Sequence, residues 1–453
     1  FGSSVKTMGK RRSSWLLRAS AIVLVLAFER FGLSFCGVSS QIQRHLFGEK
    51  QSQTSVSVKS PTARNALEGL DVAQDLAGLA QTSLLTSFSD QAGNINGVLF
   101  QASLPAYLAF LYFLNYKKNN TPPLVFFGFA FLLAFVLLTI PSGVISKNTF
   151  GVILADSDWL HGSAESLLTC TNIMIVLGFR GALTGDRDVA DNGTARGIAA
   201  LWMVAVVATL AVGVSLGFEA HTPFLSGLGA LDFPAEPVNA LSIPTWIVHW
   251  STVFEFLIAM SLAWTYADAV GNPKWKGLTW GMFPSSISSV FALTFHIFYN
   301  QIPWILTGQA ICTLVGNCTL ALATYRIASS NGWTISELDP RPALEKLLSK
   351  ETETTETTET TFDVTKVSKV ELTSGPLLLV EVILLTLVFA YGTKYGELMF
   401  GASVFQSPES NVAAAAVVLL PVLLVAYTIY SQSPDLRNGQ LPSLTPATSV
   451  SEK

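Results

Sequence analysis

Three histidines in this chain sit where hydrocarbon is expected. His161 is followed by Glu165, His249 by Glu255 and His296 by Asn300, each in or at the end of a long apolar run. An ionisable or amide side chain there is costly unless it finds a partner or performs a task. A spacing of four puts two side chains on one helix face, so His161 pairs with Glu165 and His296 with Asn300. Glu255 lies deeper than His249 and about a third of a turn round, so it need not share that face. Three chemistries fit. In the first, His, Glu, Asn and Ser hold helices together, each bond contributing on the order of 1 kcal/mol. In the second, one or two imidazoles at matching depth ligate a chlorophyll or haem. In the third, the His–Glu pairs handle protons, ions or a metal. The first asks least of the sequence. The candidate cofactor-binding residues are His161, Glu165, His249 and His296, and the candidate structural polar groups are Glu255, Asn300 and Asn317. No catalytic residue and no metal motif is assigned: HExxH, the Glu-x-x-His pair of di-iron bundles, phosphate loops and the G-x-S-x-G elbow do not occur.

The elements that must position these residues are membrane helices. Of 453 residues, 50% are hydrophobic and 13% charged, against about 25% charged in soluble domains. The fold class is all-α, a polytopic transmembrane bundle of about nine spans, at 97–116, 122–141, 160–183, 197–218, 244–270, 278–299, 303–328, 376–391 and 411–430. Loops after odd-numbered spans carry Lys117 and Lys118, then Arg180, Arg187 and Arg196, then Lys274 and Lys276, then Arg326, Arg341, Lys346 and Lys350. Loops after even-numbered spans carry only Lys147 and Lys394, with Glu219, Asp232 and Glu236. The positive-inside rule turns the odd loops to the inner side. His161, His249, His296 and Asn300, with the loop residue His221, then fall near the opposite face. A net charge of −4 and the lack of a basic stripe speak against nucleic acid; the partner is the lipid bilayer. Cys36, Cys170, Cys312 and Cys318 form no CxxC or CxxCH, so iron–sulfur clusters and covalent haem are not indicated.

Composition divides the chain further. From Met8, Lys10, Arg11 and Arg12 precede an apolar run at 19–28 too short to span, followed by a Ser/Thr/Gln/Arg tract with one acid, Glu49. That is a signal peptide followed by a transit peptide, a bipartite plastid-targeting leader over 1–66. A mature N-terminal segment follows at 67–96, then a four-span domain at 97–218 and a three-span domain at 219–330. Next come a disordered linker at 331–374 around the Glu/Thr repeat, two C-terminal spans at 375–432 and a disordered tail at 433–453.

The three-span domain resembles a known family. Trp246, His249, Ser251 and Glu255, the connector Gly271-Asn272-Pro273-x-Trp275-Lys276-Gly277-Leu278-x-Trp280-Gly281-Met282, then His296-x-Phe298-Tyr299-Asn300 and Gly316-Asn317 look like the hypothetical-chloroplast-frame-49 membrane family of cyanobacteria and plastids. One departure is Ser286, two residues after Pro284, where the family pattern has a His. Trp159-Leu-His161-Gly-Ser163-Ala-Glu165 echoes the same order, and with 105–115 and 139–141 resembles a second plastid–cyanobacterial domain. The resemblance implies a thylakoid or inner-envelope setting, photosynthetic membrane complexes as partners, and a non-catalytic role in membrane organisation or complex assembly. The alternatives are a pigment-, haem- or quinone-binding redox factor and a small-ion or proton transporter.

Overall fold

A computed structural model describes residues 95–220, 236–237, 239–338, 362–405, 407 and 410–433. The leader, the 67–94 segment, His221, the Glu/Thr repeat and the tail beyond 433 lie outside the described residues. Within them the chain is all helical and without strands. Nine long helices follow in order: α1 Ile95–Leu114, α2 Pro123–Ile145, α3 Asp158–Thr184, α4 Gly193–Leu216, α5 Ile243–Ala269, α6 Lys276–Ile297, α7 Pro303–Ser330, α8 Gly375–Phe400 and α9 Ser410–Ser431. Eight are long and apolar enough to cross a membrane. The other, α6, has 22 residues but gives up apolarity at Ser285, Ser286, Ser288 and Ser289. Those hydroxyls are not left bare. Ser286 Oγ donates to the Phe283 carbonyl at 2.7 Å, and Ser288 Oγ lies 2.8 Å from Thr313 Oγ1 on α7. A serine whose hydroxyl returns to backbone or to a neighbouring helix is tolerated in hydrocarbon.

Proline opens several helices. α2, α5, α7 and α8 carry it in the first two positions, where its missing N–H has no intrahelical acceptor to lose. Asn192 caps α4 by accepting from Ala195 N at 2.9 Å. The hub is α5. Of its apolar window 78% is buried, against 22% for α4. It packs against α3, α6 and α8, and α1 lies along α7. Trp250 on α5 donates to Thr393 Oγ1 on α8 at 3.0 Å and its ring centroid is 4.7 Å from that of Phe389.

Polar contacts stitch each end of the bundle. At one end lie the loops after α1, α3, α5 and α7: Asn331 donates to Asn119 Oδ1 at 2.9 Å, and Asn272 to Ser330 Oγ at 3.0 Å. At the other end, Asn239 donates to the Tyr299 carbonyl at 2.7 Å, and the Ser242 N–H to Asp158 Oδ1 at 2.9 Å.

Two segments depart from the sequence expectation. The eighth span was expected to stop at 391, with Lys394 in a loop; α8 instead continues to Phe400. Lys394 has partners that let the helix go on. Lys394 forms an ion pair with Glu236 and donates to the Leu241 carbonyl at 2.8 Å. The second is 362–374, expected as part of the linker. Phe362 and Val367 are buried, and backbone bonds run from Val370 N to Leu183 O at 2.8 Å and from Ser368 N to Ala269 O at 2.9 Å. Its apolar residues alternate with charges, so the segment carries a face to bury, which the repeat beside it does not.

Candidate functional site

His161, the fourth residue of α3, His249, the seventh of α5, and His296, the last but one of α6, meet within about two turns of one end of the bundle. His161 Nε2 is 3.2 Å from His249 Nε2 and 3.1 Å from His296 Nε2. The ring centroids are 4.7 to 5.1 Å apart. All three residues are buried. Glu165, one turn along α3, sets Oε2 3.4 Å from His249 Nδ1 and Oε1 4.0 Å from His161 Nε2. The structure thus brings together all four candidate cofactor-binding residues.

Close helix approach makes the meeting possible. A Cβ on Gly162, next to His161, would fall on the Thr245 side chain of α5. Only a residue without a side chain lets α3 and α5 come this near. The indole of Trp246 stands beside the rings, 6.2 Å from that of His249 and 6.5 Å from that of His296. Its buried N–H and the buried Nδ1 of His296 have no hydrogen-bond partner among the described residues. Just past His296, Tyr299 and Asn300 adopt φ of 48° and 59°, a left-handed pair rare for residues other than glycine. Asn300 holds that turn, donating to Asp156 Oδ1 at 2.7 Å and to the Ala155 carbonyl at 3.2 Å.

The other polar candidates lie elsewhere. Asn317 on α7 donates to the Ser103 carbonyl on α1 at 3.2 Å, a helix-to-helix tie. Glu255 is buried deeper in α5, with Oε2 lacking a partner among the described residues. It does not join the imidazoles.

The geometry discriminates among the three chemistries. An axial ligand offers its nitrogen to the open face of a macrocycle, and no such plate fits between rings whose centroids are 4.7 to 5.1 Å apart. Hydrogen bonds alone also serve the trio poorly. A ring nitrogen either carries a proton or offers one lone pair, so His161 Nε2 cannot donate to one neighbour while accepting from the other. Both close contacts of His161 are Nε2 to Nε2, so one proton or one lone pair is shared between two neighbours.

Sequence reading missed a second polar group. Glu397, one turn after Lys394 on α8, is 2% exposed, and neither carboxyl oxygen has a hydrogen-bond partner among the described residues. It lines a largely apolar, partly open cleft between α5, α6, α8 and α9, with Trp250, Leu293, Phe400, Phe405 and Pro421. Tyr299, in the turn after α6, has its phenol raised above the ordinary value by burial and by the nearby Glu397 and Glu236 charges. The spacing Lys394-x-x-Glu397 inside an apolar run was the available signal.

Two family models match the chain, both described as protein of unknown function: DUF3593 over residues 96–184 and DUF2499 over residues 240–326. The chain is similar to a Ycf49-like protein of Synechocystis sp. (strain ATCC 27184 / PCC 6803 / Kazusa), 47% identical over 92 residues, which are 20% of this chain and 88% of that one. It is similar also to the uncharacterized protein ycf49 of Cyanophora paradoxa, 34% identical over 85 residues, 18% of this chain and 83% of that one. No solved structure matches. His161 and Glu165 fall within the first matched region, His249 and His296 within the second.

Proposed function

Since the chain belongs to the Ycf49-like family, we propose that it is an integral protein of a plastid membrane, thylakoid or inner envelope, with a non-catalytic part in organising that membrane or assembling a photosynthetic complex. The observation that carries this reading is the outer face of α4. That helix buries only Ala199, Val206, Leu210 and Gly213 and turns Leu201, Trp202, Val204 and Val207 outward. A helix held by one narrow stripe offers the rest of its surface to lipid or to helices of another protein. On this reading the leader at 1–66 delivers the chain to the plastid. The domains at 97–218 and 219–330 form its working part, and the basic loops after α1, α3, α5 and α7 face the stroma. A plant or alga lacking the protein is expected to accumulate less of one photosynthetic complex at unchanged transcript levels. Normal complexes and normal membranes in the null line would overturn the assignment.

A second reading, a quinone-binding membrane factor, is favoured by the cleft at Glu397. A buried carboxyl without a partner costs free energy in an apolar surround, and a ligand with a hydroxyl-bearing ring and a hydrocarbon tail would satisfy it. Trp250, Phe400 and Phe405 supply aromatic surface for such a ring.

A further inference from the structure

We propose that His161, His249 and His296 hold one divalent first-row transition-metal ion through their three Nε2 atoms. This assignment stands on the site alone and needs neither the assembly role nor the cleft.

Distance is the first argument. Nitrogens bound to one ion at about 2.0–2.1 Å and at tetrahedral angles stand about 3.3 Å apart. His161 Nε2 lies 3.2 and 3.1 Å from its two neighbours, and the ligand atoms of all three residues lie within 4.8 Å of one another. Adhesive contacts between helices carry no requirement that three rings turn the same nitrogen to one point. A shared cation does.

Proton bookkeeping is the second. His161 Nε2 has a single proton or a single lone pair to divide between two neighbouring Nε2 atoms, so hydrogen bonding serves the trio incompletely. A cation accepts all three lone pairs at once. Each imidazole must then keep its proton on Nδ1. Glu165 supplies the reason at His249, where Oε2 is 3.4 Å from Nδ1. A carboxylate behind a ligating imidazole fixes the tautomer and raises ligand basicity.

The donor set chooses the class of ion. Imidazole suits zinc, copper, iron and nickel, and discriminates against magnesium and calcium, which take oxygen. Glu165 Oε1, 4.0 Å from His161 Nε2, is a carboxyl placed to offset a divalent charge. The buried Trp246 N–H, without a partner among the described residues, stands beside the rings as a donor for an oxygen in the fourth position.

The test uses the full chain, without a histidine tag, purified in detergent, treated with chelator and titrated with Co²⁺ alone. Wild type is expected to take up one Co²⁺ per chain with the strong visible absorption of a tetrahedral site, displaced by Zn²⁺. His249→Gln and His296→Gln should each weaken binding at least a hundredfold, and Glu165→Gln about ten- to a hundredfold. Glu255→Gln, outside the centre, should bind as wild type does. If the histidine variants fail to insert, X-ray absorption of the Zn²⁺-loaded wild type decides, with three imidazoles expected in its ligand shell. A monodisperse wild type that binds no Co²⁺ at micromolar concentration would show a hydrogen-bonded cluster only. Uptake that is unchanged when all three histidines are replaced would equally overturn the site.

Discussion

Asn300 holds more than its own turn. Its two hydrogen bonds tie the turn after α6, next to His296, to the segment that leads into α3 and His161. Asn300→Leu removes both bonds and puts a larger side chain at φ 59°. The expected loss is about 1–3 kcal/mol, read as a lower midpoint when the detergent-solubilised protein is unfolded with sodium dodecyl sulfate. Asn300→Gly accepts the backbone and should lose less. Equal midpoints for wild type and the leucine variant would refute this role. At this scale the sequence was only partly legible. The four-residue spacing put His161 and Glu165 on one face of α3, but the same expectation for His296 and Asn300 does not hold, because α6 ends at Ile297 and Asn300 lies in the left-handed turn beyond it. Spacing alone could not show that Asn300 turns to Asp156 rather than to the imidazoles. Glu397 escaped because a charge near the end of an apolar run reads as the end of the helix, and its ion-paired neighbour Lys394 removes that penalty only in three dimensions.

Helices with long uncharged runs were readable because hydrocarbon forces every backbone group into internal bonds. α1 to α7 therefore begin and end within a few residues of their expected bounds. The end of α8 and the packing of 362–374 were not, since both depend on partners distant in sequence. Contact between α3 and α5 is of that kind, and it hangs on Gly162. Gly162→Ala drives a methyl into Thr245, and overpacking of this sort costs about 1–3 kcal/mol. The same unfolding assay should show that loss, and adding Thr245→Ala should recover part of it. Simple additivity of the two changes would mean that the helices do not touch there.

Across the whole molecule, four helices from separate parts of the chain enclose the Glu397 cleft, so its contents report on the assembled bundle. Lipid extracts of the purified protein, analysed by mass spectrometry, are expected to contain a prenyl-tailed quinol in near-equal amount to the chain. Glu397→Leu should cut that amount at least tenfold. Bulk membrane lipid alone, unchanged by the substitution, would dismiss the quinone reading. Charge alternation set the expected sidedness of the loops. It also placed the three histidines at one depth, which was enough to expect their convergence but not the facing of their Nε2 atoms. That convergence has a bearing on biogenesis. His161 precedes His249 by 88 positions and His296 by 135. A chain threaded into the bilayer from its N-terminus must hold His161 and Glu165 in place through three further long helices, α4 to α6, before the last imidazole arrives. Contacts between residues so far apart in sequence form late. A chain stalled before α6 would have the Glu165–His249 contact but lack the third imidazole of the cluster.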